Sequence, residues 1–143
     1  MESLLGKEVM DKAGENVPVS SLSGKGKYIG LYFSAHWCPP CRMFTPKLIA
    51  WYKSMKKKNV DIEIVFVSSD RDEESWREYY EEMPWLSLPF ELRDLKAELC
   101  TKFDVNGIPT FVILNAEDGV VFARDGRGKV TSSEGLNFPN WST

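Results

Sequence analysis

Residues 37–41 read Trp-Cys-Pro-Pro-Cys, and they stand three residues after an apolar run, Tyr28-Ile29-Gly30-Leu31-Tyr32-Phe33. A run with no polar alternation suits a central strand covered on both faces. The two prolines then restrict the next element. Each fixes its own φ and lacks an N–H, so they fit the first turn of a helix, where those donors would have no intrahelical partner. The stretch therefore predicts a buried strand, a corner carrying two thiols, and a helix opening at Pro39.

The rest of the chain alternates in the same way. Leu48, Tyr52 and Met55 recur at helical spacing, and Lys56-Lys57-Lys58 places cations where they suit a helix carboxyl end. Pro46 falls inside that helix and is expected to kink it. Asp61 to Val67 reads as a second core strand, and Trp76, Tyr79, Tyr80 and Met83 as one face of a second helix. After a loop from Pro84 to Pro89, a third helix is expected with Leu92, Leu95, Leu99 and Phe103 on one face and Cys100 at its edge. Pro109 to Leu114 and Val120 to Ala123 flank a Gly-containing loop and predict an antiparallel hairpin. An extra strand near Val17 to Val19 completes the expectation. Such an order argues for a single α/β domain, 1–143, with a central mixed sheet flanked by helices.

Composition narrows the function classes. The chain has 143 residues and a formal charge of −3, with 18 Lys and Arg against 21 Asp and Glu. No basic field would gather nucleic acid or an anionic membrane. No stretch approaches the roughly 20 apolar residues that a spanning helix requires. A soluble monomer in the cytosol or nucleus is expected. No GxGxxG motif follows a strand, so no nucleotide cofactor is expected.

Three readings of Cys38 and Cys41 compete: a metal clamp, a structural disulfide, and a redox couple. Three cysteines in a reducing compartment do not make a disulfide framework. A zinc set could be assembled only from His36, Cys38, Cys41 and the distant Cys100, with no second ligand pair at finger spacing. No metal is expected. His36, the one histidine, reads as a surface or packing residue, and Cys100 as a small hydrophobe on a packed helix.

The redox reading uses the corner directly. Residues three apart on a helix have Cβ atoms about 5–6 Å apart, close to disulfide geometry. The positive end of the helix favours a thiolate on Cys38, which is expected at the water-facing front. Cys41, one turn inward, stays a thiol until needed. The spacing thus assigns Cys38 as nucleophile and Cys41 as resolving thiol. Pro39 and Pro40 hold the backbone between them and lower the entropy lost on ring closure.

Trp-Cys-x-x-Cys after an apolar strand, Pro46 five residues beyond the second cysteine, and Ile108-Pro109 before a late strand together resemble the thioredoxin superfamily. The segments Tyr32 to Arg42, Glu82 to Phe90 and Asn137-Phe138-Pro139 resemble its nucleoredoxin and tryparedoxin branch. The resemblance implies a thioredoxin fold and a dithiol protein-disulfide reductase. It implies that Pro109 is a cis-proline whose loop, with Ile108, holds an extended substrate segment beside the cysteines. Trp37 would shape the rim of the site, next to Pro39 and Pro40. The implied partners are disulfide-containing proteins, such as oxidised peroxidases of the peroxiredoxin kind. The reductant would be external: thioredoxin reductase, glutathione or a trypanothione-like dithiol. An adaptor that keeps the fold as a redox-sensitive docking surface is the alternative.

Two departures from the pattern stand out. Tyr32 occupies the place of thioredoxin's buried aspartate, so no carboxylate proton acceptor for Cys41 is identified. Ser69-Asp70-Arg71 stands where tryparedoxins carry Trp-Asp-Glu, which weakens the case for a trypanothione-like reductant. The final helix is expected to be shortened, because Ser132 to Trp141 contains Gly135 and Pro139.

Overall fold

A computed structural model describes residues 1–141. Its elements run α1 (Glu2–Leu5), β1 (Glu8–Met10), β2 (Asn16–Pro18), β3 (Tyr28–Ser34), α2 (Pro39–Lys57), β4 (Ile62–Ser68), α3 (Glu73–Tyr80), β5 (Leu86–Ser87), α4 (Arg93–Lys102), β6 (Thr110–Asn115), β7 (Val121–Ala123) and α5 (Gly126–Thr131). Single turns of 3-10 helix follow β2 at Val19–Leu22 and α5 at Gly135–Asn137.

All seven strands join one sheet in the order β2-β1-β5-β4-β3-β6-β7. β3 is parallel to β4 and antiparallel to β6, and the hairpin partner β7 closes that edge. This is the mixed sheet of a thioredoxin fold. β3 is buried along almost its whole length, as its unbroken apolar run requires. Its alternate residues feed two cores. Tyr32 meets Phe66 and Phe111 beneath α2 and α3, whereas Ile29, Leu31 and Phe33 meet Val65, Val67, Val112 and Leu114 on the side where α4 contributes Leu99.

α2 continues unbroken through Pro46 for 19 residues. Several sequence expectations need correction. α3 ends at Tyr80, so Met83 lies in the following turn, although it is still buried in the same core. Leu92 caps α4 and is exposed, because the helix begins one residue later. The N-terminal strand is Asn16–Pro18, and Val19 already begins the 3-10 turn. Its partner β1, and β5 inside the expected Pro84–Pro89 loop, are too short to show a period of two. β6 begins at Thr110, not at Pro109, and Gly119 makes the hairpin turn at φ 76.

The final helix is short, only six residues. Aromatic side chains secure the chain beyond it. Phe138 packs edge-on against Tyr28, Trp51 and Phe122, and the indole of Trp51 donates to the Gly135 carbonyl at 2.7 Å. Among the described residues no helix is long and apolar enough to cross a membrane.

Candidate active site

The carboxyl end of β3 delivers the chain to the corner, and α2 begins there. Cys38 is the N-cap residue, extended at φ −97° and ψ 110°. Pro39 and Pro40 bring no N–H to the first turn, so the first donor available is that of Cys41. That amide donates to Cys38 Sγ at 3.3 Å. The sulfur takes the place of the usual capping oxygen.

Both cysteines are unbonded thiols. Cys41 is fully buried, as its position one turn inward requires, but Cys38 is only 5% exposed instead of facing water. The sulfur turns back over its own helix and lies 3.8 Å from the Ile108 carbonyl oxygen. Ala35, Cys38 and Cys41 form a small cluster with Ile108 packed on it. The Ile108–Pro109 peptide is cis, with Pro109 buried. Pro39 and Pro40 are exposed, and Trp37 is half exposed. The Trp37 indole donates to the Ser69 carbonyl at 3.2 Å, and the Arg71 guanidinium lies over its ring at 5.1 Å. Cys38, Cys41 and Ile108 therefore meet, Pro109 comes directly after, and Trp37, Pro39 and Pro40 present the surface beside them.

Two further contacts tie this corner to the end of β4, and a third holds the carboxylate that makes one of them. Ser69 N–H donates to the Ser34 carbonyl at 2.9 Å, and the His36 N–H donates to Asp70 Oδ1 at 2.8 Å. The hydroxyl of Ser68 donates to Asp70 Oδ2 at 2.8 Å. Asp70 is buried, so its acceptor capacity serves these groups and not water. His36 stacks on Tyr79 with ring centres 5.1 Å apart, which fits the packing role expected of it. Cys100 sits half-buried against the core on the α4 side. Among the described residues, no group of three or more His, Cys, Asp or Glu side chains is placed to hold a metal.

The space below Cys41 holds hydroxyls where a carboxylate might be looked for. Tyr32, Ser34, Thr45 and Tyr79 are all buried there. Sequence reasoning named Tyr32 in the apolar run and for the aspartate it replaces, and Tyr79 on one face of a helix, but did not bring them together with Ser34 and Thr45. One signal was available: Tyr32 and Ser34 alternate onto one face of β3, and Thr45 stands one helical turn beyond Cys41.

Burial, then the hydrogen bond with Cys38, pushes the Cys41 thiol up from 9.0 to about 11. Burial also pushes the Tyr32, Tyr52, Tyr79 and Tyr80 hydroxyls upward. The folded protein keeps protons that the unfolded chain releases in alkali. For Cys41, the associated stability is complete below about pH 9 and is lost as pH rises towards about 11. A urea midpoint that is flat up to about pH 9 and then declines is the expected result. Cys41→Ser should decline less. An equally flat midpoint at pH 11 would overturn the burial of these groups.

A mixed sheet of this topology, with a capped thiol pair at the start of the helix after its central strand, defines the class of thioredoxin-like oxidoreductases. A family model described as Thioredoxin-like matches residues 26–121, and the chain belongs to that family.

Within it, the chain is of the nucleoredoxin and tryparedoxin type. It is 47% identical over 131 residues to probable nucleoredoxin 1 of Arabidopsis thaliana, covering 92% of this chain and 22% of that protein. Tryparedoxin of Trypanosoma brucei brucei is 44% identical over 133 residues, covering 92% of this chain and 89% of its own. The structure of tryparedoxin II complexed with glutathionylspermidine superposes with a TM-score of 0.87 at 39% identity, covering 96% of this chain and 93% of that one. The chain spans 22% of the length of the Arabidopsis nucleoredoxin and 29% of the mouse one.

Proposed function

We propose that this domain is a dithiol protein-disulfide reductase in which Cys38 attacks and Cys41 resolves. The observation that carries the reading is the 3.3 Å contact from the Cys41 amide to Cys38 Sγ at the amino end of α2, with Cys41 buried one turn behind. A negative sulfur at that point is met by an N–H and by the positive end of the helix.

In the cycle, Cys38 thiolate attacks one sulfur of a substrate disulfide, forming a mixed disulfide and expelling the first substrate thiolate. Cys41 gives up its proton and attacks Cys38 Sγ, which expels the second substrate thiolate and leaves Cys38 joined to Cys41. An external thiol then reduces that bond by two exchanges and is itself oxidised. The buried Pro109 loop and the exposed Trp37, Pro39 and Pro40 would receive the substrate segment. Disulfides of oxidised peroxidases are the substrate class in view. A relative that binds glutathionylspermidine supports a low-molecular-weight thiol as reductant.

The test is reduction of insulin disulfides with thioredoxin reductase, glutathione and a trypanothione-like dithiol supplied in turn. Turnover is expected with at least one, and Cys41→Ser should accumulate a covalent complex with the substrate through Cys38. No turnover with any reductant and no trapped complex would overturn the enzyme reading and favour a docking role.

A further inference from the structure

Asp70 is a carboxylate shut away from water, only 3% exposed. A charge taken into the core is costly unless it is paired, and even a paired one stabilises a fold weakly compared with an apolar side chain of similar size. What Asp70 holds accounts for its place better than a gain in stability does. Its Oδ1 accepts the His36 N–H at 2.8 Å, and its Oδ2 accepts the Ser68 hydroxyl at 2.8 Å. Ser68 Oγ accepts the Asp70 N–H in return, at 2.9 Å. The positive charge nearby is Arg93, half-buried at the start of α4 and attracted by Asp70. Its guanidinium donates to the Ser68 carbonyl at 2.9 Å and to the Phe90 carbonyl at 2.6 Å.

The bond to His36 reaches Cys38 through a single peptide group. The Ala35 carbonyl and the His36 N–H belong to one planar, rigid unit. That carbonyl accepts the Cys38 N–H at 3.2 Å. Holding the N–H from one side fixes where the C=O points on the other, and so fixes the turn that carries Cys38. Ser69 grips the same stretch through its main chain: its N–H donates to the Ser34 carbonyl at 2.9 Å, and its carbonyl accepts from the Trp37 indole at 3.2 Å. Those main-chain holds do not depend on which residue stands at 69. The hold on the Ala35–His36 peptide depends on the side chain at 70.

We propose that Asp70 is a positioning residue for the exchange between Cys38 and Cys41: by holding the Ala35–His36 peptide from the end of β4, it keeps Cys38 Sγ where the Cys41 sulfur reaches it. The inference rests on the reading of Cys38 as nucleophile and Cys41 as resolving thiol. Asp70 acts through the backbone, and no proton passes to it. Its effect falls on the intramolecular step, whose rate depends on two sulfurs being held in register. The first attack, on a disulfide that arrives from solution, depends on that register much less.

The probe is dithiobis(nitrobenzoic acid) with the full chain in a Cys100→Ala background. Cys38 attacks it and releases one coloured thiolate, and Cys41 then displaces the second. The first rate rises with probe concentration and the second does not, so the two phases separate. Asp70→Ala is expected to slow the second phase by roughly 10- to 100-fold, the loss that follows a misplaced reacting group, and to change the first much less. Asp70→Asn keeps an oxygen for the His36 N–H, and its NH2 can donate to Ser68 Oγ, which has a lone pair to spare. It should restore most of the second-phase rate. Ser68→Ala is the control for damage alone. It removes the other partner of the carboxylate and leaves the Asp70 N–H unpaired, so the urea midpoint should fall. The His36 contact survives in it, and the second phase should stay near the parent rate.

An unchanged second phase in Asp70→Ala, or an equal slowing of both phases, overturns the proposal. So does a Ser68→Ala or Asp70→Asn variant slowed as much as Asp70→Ala. If Asp70→Ala does not fold, Asp70→Asn and exchange of the His36 amide in the parent decide. That amide should exchange at least about tenfold more slowly than in an unstructured chain. Exchange at the free rate, or a second phase slowed about tenfold or more in Asp70→Asn, overturns the proposal. No protein substrate enters the assay. A parent that shows no second phase removes the resolving role of Cys41 and this inference with it, whereas a parent with both phases and an unaffected Asp70→Ala removes this inference alone.

Discussion

Cys38→Ser should reduce disulfide-reducing turnover by about three orders of magnitude or more while leaving the protein as stable as before. Both halves of that expectation come from one contact. A serine hydroxyl is not ionised at neutral pH and does not displace a thiolate from a disulfide, so the first exchange is lost. The same hydroxyl is a preferred N-cap acceptor. It can take the Cys41 N–H that Cys38 Sγ now accepts at 3.3 Å. The urea midpoint should therefore stay within experimental error of the parent, or rise slightly. Cys100→Ser is the control, because Cys100 packs on the α4 side, away from the Ala35, Cys38 and Cys41 cluster. It should keep its turnover. Substantial residual activity in Cys38→Ser, or equal losses in the two variants, would remove Cys38 from the nucleophile's role.

The thiol corner was legible in the sequence because each of its parts is local. An apolar run of strand length, two prolines that suit a first helical turn, and cysteines at a spacing of three all lie within Tyr28 to Cys41. The cis peptide before Pro109 came from the family resemblance and not from spacing, and it is present. The features that escaped the reading were assembled from distant pieces or were too short to carry a period. β5 has two residues and pairs with β1 through a single register position, Met10 with Ser87. The clasp of Asp70 on the His36 amide joins residues 34 apart, and Tyr79 reaches Ser34 across 45. The burial of Cys38 depends on the Ile108 carbonyl, 70 residues away, which the expectation of a water-facing sulfur left out. Local chemistry placed the two thiols at the start of a helix, and tertiary packing fixed what surrounds them.

The largest loss of stability is expected at Phe111, where the sequence shows only one more apolar residue in a strand. Its ring is buried, lies 5.8 Å from the Trp51 ring, and fills space that two glycines leave open. A Cβ built on Gly30 would fall 2.4 Å from Phe111 Cε1, and one on Gly126 would fall 2.5 Å from Cδ2 and 2.6 Å from the Phe111 carbonyl oxygen. Neither glycine has a positive φ, so what β3 and α5 need at these points is room and not backbone freedom. Phe111→Ala should cost about 3–5 kcal/mol, since a rigid sheet and helix cannot collapse onto the cavity. Gly30→Ala should cost about 1–3 kcal/mol by overpacking. The two clashes differ in kind, and a double-mutant cycle separates them. Phe111→Leu shortens the ring that Gly30→Ala strikes, so this pair should couple favourably, with a combined loss smaller than the sum. Gly126→Ala also strikes the Phe111 main chain, which leucine does not move, so that pair should show much less relief. Urea unfolding of the five single and double variants, with the parent as reference, measures both couplings. Additive losses at Gly30 and Phe111 would mean that the ring does not occupy the space the glycine vacates.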